Sequence, residues 1–361
     1  MTHLPPLTWR KFPAAVLAKD PSMFAKWNNL NAQRLNLPIL CAEAMTQALT
    51  VFGKGTEYLL VAEHQGAVAA MMVLVPVGIG RWQTFQPSQL PLGAWVAVPE
   101  IDLAALCASA MQRGLGLCLV LSVTQVDPLQ AARTVDNAQT RHIEYIDTAW
   151  IDIEGDFDTY WNARGKNLRQ NIRKQHNKLA TDGVTTVMRV LCEPEQMAPA
   201  IARYGAMESA GWKGEIGTAI HPDNDQGRFY IQLLADAAGR GEARIFEYLF
   251  GDQTVAMNLC LLRGGTLLVL KTTYDERIPS ALSPASLLRE AELRYIFGSP
   301  DIRRIEYYGR VMDWHTKWSS MQRTLYHLTT YRLALLKRLA DRSRAKSVKA
   351  APATLAQSGS S

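Results

Sequence analysis

Residues 266–308 read TLLVLKTTY-DERIPSAL-SPASLLREAELRYIF-GSPDI-RRIEYY, and the order of patterns in this stretch points to the fold. The run 266–274 is apolar and β-branched, as a buried strand requires. Residues 275–282 are loop-like. Ser283 is a good helix cap and Pro284 a good first helical residue, so the spacing predicts a helix over 284–297. A strand is expected at 303–308. Glu290 and Glu292 lie beyond the first turn, which leaves the helix start without an acid. Free N–H groups and the helix dipole at such a start can hold an anion such as a phosphate.

Upstream, 243–250, the turn Gly251-Asp252, 254–262, the turn Gly264-Gly265 and 266–274 predict a three-stranded antiparallel meander. Helices are expected at 167–180, 195–209 and 226–238, and a strand at 184–190. The first half mixes α and β. Helices are expected at 22–33 and 41–52, and strands at 57–64 and 67–75 around Gln65-Gly66. Asp102 can cap a helix running to Arg113, and 117–123 is a further strand. A strand over 143–153 is expected to bridge the halves. An extended run, 324–331, precedes a basic helix at 333–346, beyond which the chain is expected to be disordered. The fold class expected is α/β, with two units at 1–150 and 151–335.

The 361 residues carry 39 Lys and Arg against 33 Asp and Glu, a surplus of +6. Residues 1–150 hold ten of each sign, so the surplus lies in 151–361. A surplus of this size permits an anionic ligand without demanding nucleic acid. Cys41, Cys107, Cys118, Cys192 and Cys260 are too widely spaced for a metal knuckle, so no metal is expected, and they fit a reducing compartment. The uncharged stretches 67–80 and 82–99 are too short or too broken by proline to span a bilayer. No secretory pattern opens the chain, and a soluble, cytoplasmic protein is expected.

Three motifs recur in order: Glu208-Ser-Ala-Gly-Trp212-Lys213-Gly, Lys271-Thr-Thr-Tyr274-Asp275, and Ser283-Pro-Ala285-Ser286-Leu-Leu. With the helix NLRQNIRKQHNKL at 167–179, they resemble the acyl-CoA N-acyltransferase (GNAT) superfamily. The resemblance is closest to the CelD-type acetyltransferases of cellulose biosynthesis, relatives of the Fem peptidyltransferases, and covers roughly 150–335. It implies two tandem GNAT-like units with mixed, mostly antiparallel sheets flanked by helices. It also implies transfer of an acyl group, acetyl above all, from acetyl-CoA or another acyl-CoA to a sugar-linked or small polar acceptor in exopolysaccharide metabolism. Two departures stand out. Ala285 replaces the family's usual glycine, and the Gly-rich pyrophosphate loop of ordinary GNAT enzymes is absent.

Acyl transfer needs a base, donors for the carbonyl oxygen and an acid for the departing thiolate. Glu208 is the candidate base, Lys271 a cation in an apolar strand, and Tyr274 the candidate acid. Ser283, Ala285 and Ser286 are the candidate phosphate site. Trp212, Lys213, Asp275, Glu306, Tyr308 and His315 are candidates for holding the acceptor. Arg164, Lys166, Arg169, Arg173, Lys174 and Lys178 form an acid-free basic run. It leaves open a second reading, in which a Fem-like transferase takes aminoacyl-tRNA. A third is a nucleotide- or saccharide-binding protein without turnover. The basic helix at 333–346 is amphipathic, which permits weak contact with an anionic membrane.

Overall fold

The computed structural model of the chain describes residues 6–211, 219–279 and 281–350. The strands are β1 (Thr8–Pro13), β2 (Tyr58–His64), β3 (Ala67–Gly78), β4 (Arg81–Thr84), β5 (Trp95–Ala97), β6 (Val120–Val126), β7 (Thr140–Asp152), β8 (Thr186–Leu191), β9 (Ala243–Phe250), β10 (Gln253–Arg263), β11 (Thr266–Tyr274), β12 (Arg304–Glu306) and β13 (Met321–Tyr331). All thirteen belong to one sheet, in the order β1-β2-β3-β4-β6-β13-β7-β12-β11-β10-β9-β8, with β5 on the flank of β3.

The order reads alike from either end. β1 to β4 run as an antiparallel meander, and β4 lies parallel to β6. β8 to β11 form a second meander, and β11 lies parallel to β12. The closing strands are exchanged. β7 leaves the first half to pair with β12, while β13 returns to pair with β6, and the two pair with each other at the centre. This is the α/β GNAT fold, with a mixed sheet flanked by helices.

Tight turns fix much of the register. Gln65-Gly66 and Gly264-Gly265 all have positive φ, between 51° and 82°. Two-residue hairpins prefer this left-handed geometry because it matches strand twist. A Cβ on Gly264 would also sit 2.8 Å from the Asn36 side chain.

One face of the sheet carries a single core shared by both halves. Helices Pro21–Ala32 and Ala42–Phe52 meet Pro194–Ser209 and Asp225–Ala238 there, around Trp27, Met45, Tyr204 and Phe229. On the opposite face each half keeps its own core. Helix Leu103–Ser109 covers the first half. Helices Lys166–Thr181 and Pro284–Phe297 cover the second.

Most expected elements lie within a few residues of their predicted bounds. The helix expected over 102–113 ends at Ser109 and widens into a π-turn, Ala110–Gly114. β12 is only three residues long. The last helix runs from Ala334 to Ala350, past Lys346 where order was expected to cease. The extension SVKA has neither glycine nor proline, and the first helix breaker is Pro352. The disorder expected of 351–361 lies outside the described residues.

Candidate active site

The start of helix Pro284–Phe297 opens onto a cavity of about 630 Å³ lined by Tyr274, Ser283, Ala285, Ser286, Arg289 and Trp314, among others. Ser283 spends its hydroxyl on Ser286 Oγ, 2.9 Å away, rather than on a backbone N–H. Its own N–H donates to Gln175 Oε1 at 2.6 Å, which fixes the helix start against helix Lys166–Thr181. Pro284 brings no N–H, and no acid lies in the first turn. The helix end therefore stays electropositive toward the cavity. The corresponding helix of the first half differs, since Asp102 accepts the Ala105 N–H at 2.8 Å and fills its own helix end.

Arg289, which no local sequence pattern marks, is 4% exposed, with its guanidinium 3.8 Å over the Trp314 ring. It also donates to the Tyr307 hydroxyl at 3.3 Å. Tyr274 is half exposed at the cavity wall. Asp275 has a different setting. It is buried and clamped by Arg277 at 2.8 and 2.9 Å and by Gln253 at 2.9 Å. The Arg277 guanidinium holds its carboxyl below the usual range. Asp275 thus pins the loop that leads from β11 toward the helix.

A bulge in β11 builds the second wall. Leu259 faces Lys271 but Cys260 faces Val269, so Leu270 is an extra residue. One extra residue turns the following side chains to the other face. Leu268, Leu270 and Lys271 consequently line one cavity of about 460 Å³ together. β11 pairs with β12 only from Thr266 to Leu268, and the strands then part. Tyr307 and Tyr308 follow β12 into the same cavity, and Gln86 to Pro91, Gln125, Tyr145 and Ile146 close it from the first half. The Lys271 ammonium lies 5.9 Å from the centroid of the Tyr230 ring.

Glu208 is buried, 4% exposed, and its Oε2 accepts the Ile220 N–H at 2.8 Å. It stands close enough to Tyr204 and Tyr230 to raise both phenols, adding to the larger effect of burial. Tyr308 is buried with φ +46, a left-handed conformation uncommon for a tyrosine. Its hydroxyl donates to Asp127 at 2.6 Å, and Arg323 bridges Asp127 (2.6 and 2.8 Å) to Glu306 (2.9 Å). Burial raises the Glu306 carboxyl to about 7 against the pull of Arg323. His315 packs against Trp314, with ring centroids 3.4 Å apart, and receives the Met312 N–H on Nδ1. Burial and then Arg289 lower it to about 4, so it is neutral at pH 7. Trp212 and Lys213 lie outside the described residues. Among the described residues no group of three or more His, Cys, Asp and Glu is placed to hold a metal.

The structure therefore gathers Tyr274, Ser283, Ala285 and Ser286 around one cavity and Lys271 with Tyr308 around another. Asp275 also lines the first cavity, while Glu306 and His315 sit in the framework between and beside the two. Residues 166–316, which supply nearly all of this, match the family described as acetyltransferase (GNAT) domain. Over that span the chain is similar to a GNAT acetyltransferase domain, and its fold is the GNAT fold.

Solved structures of similar fold span nearly the whole chain. FemX shares 11% identity and a TM-score of 0.54, over 91% of this chain and 99% of its own. A C-terminal domain from Agrobacterium fabrum, described as belonging to a lysylphosphatidylglycerol synthetase, shares 14% identity and a TM-score of 0.53, over 91% and 96%. A conserved protein of unknown function from Bacteroides thetaiotaomicron shares 10% identity and a TM-score of 0.53, over 85% and 97%. These likenesses concern the fold. No curated protein matches the chain.

Proposed function

We propose that the chain is an acyltransferase that takes an acyl group, acetyl above all, from acyl-CoA and passes it to an amine or hydroxyl of a sugar-linked or small polar acceptor. One observation carries the reading. The uncapped, acid-free start of helix Pro284–Phe297 opens on a cavity beside the buried Arg289, while the matching helix of the first half is closed by Asp102. In this reading Ser283, Ala285 and Ser286 receive the donor's phosphates. The gap between β11 and β12 leads the thioester toward the cavity of Lys271 and Tyr308, where the acceptor waits. The acceptor loses its proton to Glu208 through water, its heteroatom bonds to the thioester carbonyl, the C–S bond breaks, and Tyr274 protonates the leaving thiolate. The aromatic walls, Tyr145, Tyr230, Tyr307 and Tyr308, suit a sugar ring. In this reading the acceptor belongs to exopolysaccharide metabolism, supported by the resemblance of the sequence motifs to the CelD-type enzymes.

The test is a thermal-shift titration with acetyl-CoA and longer acyl-CoAs, followed by thiol release with amino sugars and polyols. A ligand at about 100 times its Kd adds roughly 2.7 kcal/mol, a clear upward shift in Tm. No shift at millimolar acyl-CoA sinks the reading.

A second reading rests on a separate cavity of about 520 Å³, lined by Lys166, Arg169, Arg173, His176 and Arg294 with Trp161. A Fem-like transferase would use this basic wall for aminoacyl-tRNA. It predicts tRNA binding that weakens steeply with salt and on Arg169→Glu with Arg173→Glu. Binding of acyl-CoA without thiol release would leave the third reading, a binding protein.

A further inference from the structure

One end of the first half's sheet gathers three chain segments whose exposed tips are apolar. β4 begins at Arg81 opposite Val120, the first residue of β6, and Val120 also faces Tyr331, the last residue of β13. The β3–β4 turn, the loop before β6 and the entry to the last helix therefore leave the sheet side by side. Hydrogen bonds tie them together. Leu119 N donates to Gly80 O at 2.7 Å, Arg332 N to Leu119 O at 2.9 Å, and Trp82 Nε1 to Leu117 O at 3.3 Å.

Each segment turns an apolar side chain outward. Ile79 is 89% exposed, Leu117 64%, Leu333 56% and Leu335 60%. Single exposed apolar residues are ordinary, but four at one end of a sheet form a patch. Basic residues lie on or next to the same segments. Arg81, Arg113, Arg338 and Arg342 are exposed. Burial raises the Tyr331 hydroxyl, and Arg141, Arg344 and Arg81 oppose it, which puts Arg81 and the last helix at the same corner. The acids nearby are engaged, Asp341 with Arg141 and Lys337, and Asp136 with His142.

We infer that this end of the molecule docks on the surface of an anionic lipid bilayer, with Ile79, Leu117, Leu333 and Leu335 entering the headgroup region and the arginines meeting lipid phosphates. Apolar tips with arginines beside them match such a surface in both chemistry and sign. A protein partner would leave the arginines needing a matched set of acids, whereas an anionic leaflet supplies charge everywhere. No helix among the described residues is long and apolar enough to cross a membrane, so the contact is peripheral. It is independent of the acyl-transfer reading, because none of these residues lines the two cavities of the candidate active site.

Vesicle sedimentation tests it. The full chain should pellet with vesicles of phosphatidylcholine and phosphatidylglycerol in equal parts and stay in solution with phosphatidylcholine alone. Arg338→Glu with Arg342→Glu should lower the partition coefficient at least about tenfold. Ile79→Ser with Leu117→Ser should also lower it, at unchanged Tm, because a purely ionic contact would ignore that pair. Equal pelleting with both lipids, or indifference to either pair of substitutions, overturns the inference.

Discussion

Tyr308 of the second half donates its hydroxyl to Asp127 of the first, at 2.6 Å, in a spot sealed from solvent. The same carboxylate takes both arms of Arg323, which also holds Glu306. Burial works against the Arg323 charge, and Asp127 and Glu306 more than offset it. Asp127→Ala should therefore cost about 3 kcal/mol in urea unfolding, because it takes two of three charged contacts from a buried guanidinium and leaves it Glu306. Tyr308→Phe removes one bond to a charged acceptor and should cost about 1.5 kcal/mol. A loss below 1 kcal/mol for the alanine variant would mean that water reaches Arg323.

Glu292 predicts a pH dependence. It is fully buried, and burial raises its carboxyl to about 7 against Arg289 and the Asn258 bond at 2.7 Å. The unfolded chain loses this proton near 4.5 and the folded chain near 7, so the folded state binds more protons between those values. The associated stability is complete below 4.5, declines from there to 7, and is gone above. Between about pH 5 and pH 8 the natural chain should lose on the order of 2 kcal/mol more than Glu292→Gln. Parallel curves would show that the group titrates alike in both states.

Ala285→Asp separates fold from ligand. An acid in the first turn suits the helix dipole, so stability should rise by about 0.5 kcal/mol. The same charge meets the donor's phosphates, so acyl-CoA affinity should fall about tenfold or more, read by calorimetry. Unchanged affinity would move the phosphates elsewhere.

Two substitutions separate the roles of Glu208. Glu208→Gln keeps an acceptor for the Ile220 N–H and should leave Tm almost unchanged, while turnover falls about 100-fold if the carboxylate is the base. Glu208→Ala leaves that N–H unpaired and should cost about 1–3 kcal/mol as well. Full turnover in the glutamine variant would reduce Glu208 to a strap on the 220 segment.

What the sequence exposes follows from what is local. The meander β9–β10–β11 and helix Pro284–Phe297 are written in two-residue turns, a proline at the helix start and continuous apolar runs. Their predicted bounds fall on or beside the observed ones. β1 and β4 escape because TWRKFP is mostly exposed and RWQT is only four residues long, with no apolar period to read. The exchange of β7 and β13 is unreadable in the strands themselves, since either could pair with β6 or β12. Arg289 looks like any helical arginine until Trp314, twenty-five residues on, folds under it. Lys271 stands out in the sequence for its apolar neighbours, but the bulge at Leu270 that turns it into the cavity comes from register, which no single strand encodes.

The exchanged strands bear on synthesis. β6 is complete once residue 126 has left the ribosome, yet its partner β13 spans 321–331. For nearly two hundred residues of elongation the nascent first half exposes an open strand edge, the kind of edge that recruits other chains. Chains stopped before β13 should accordingly aggregate even when every helix of the first half has been made.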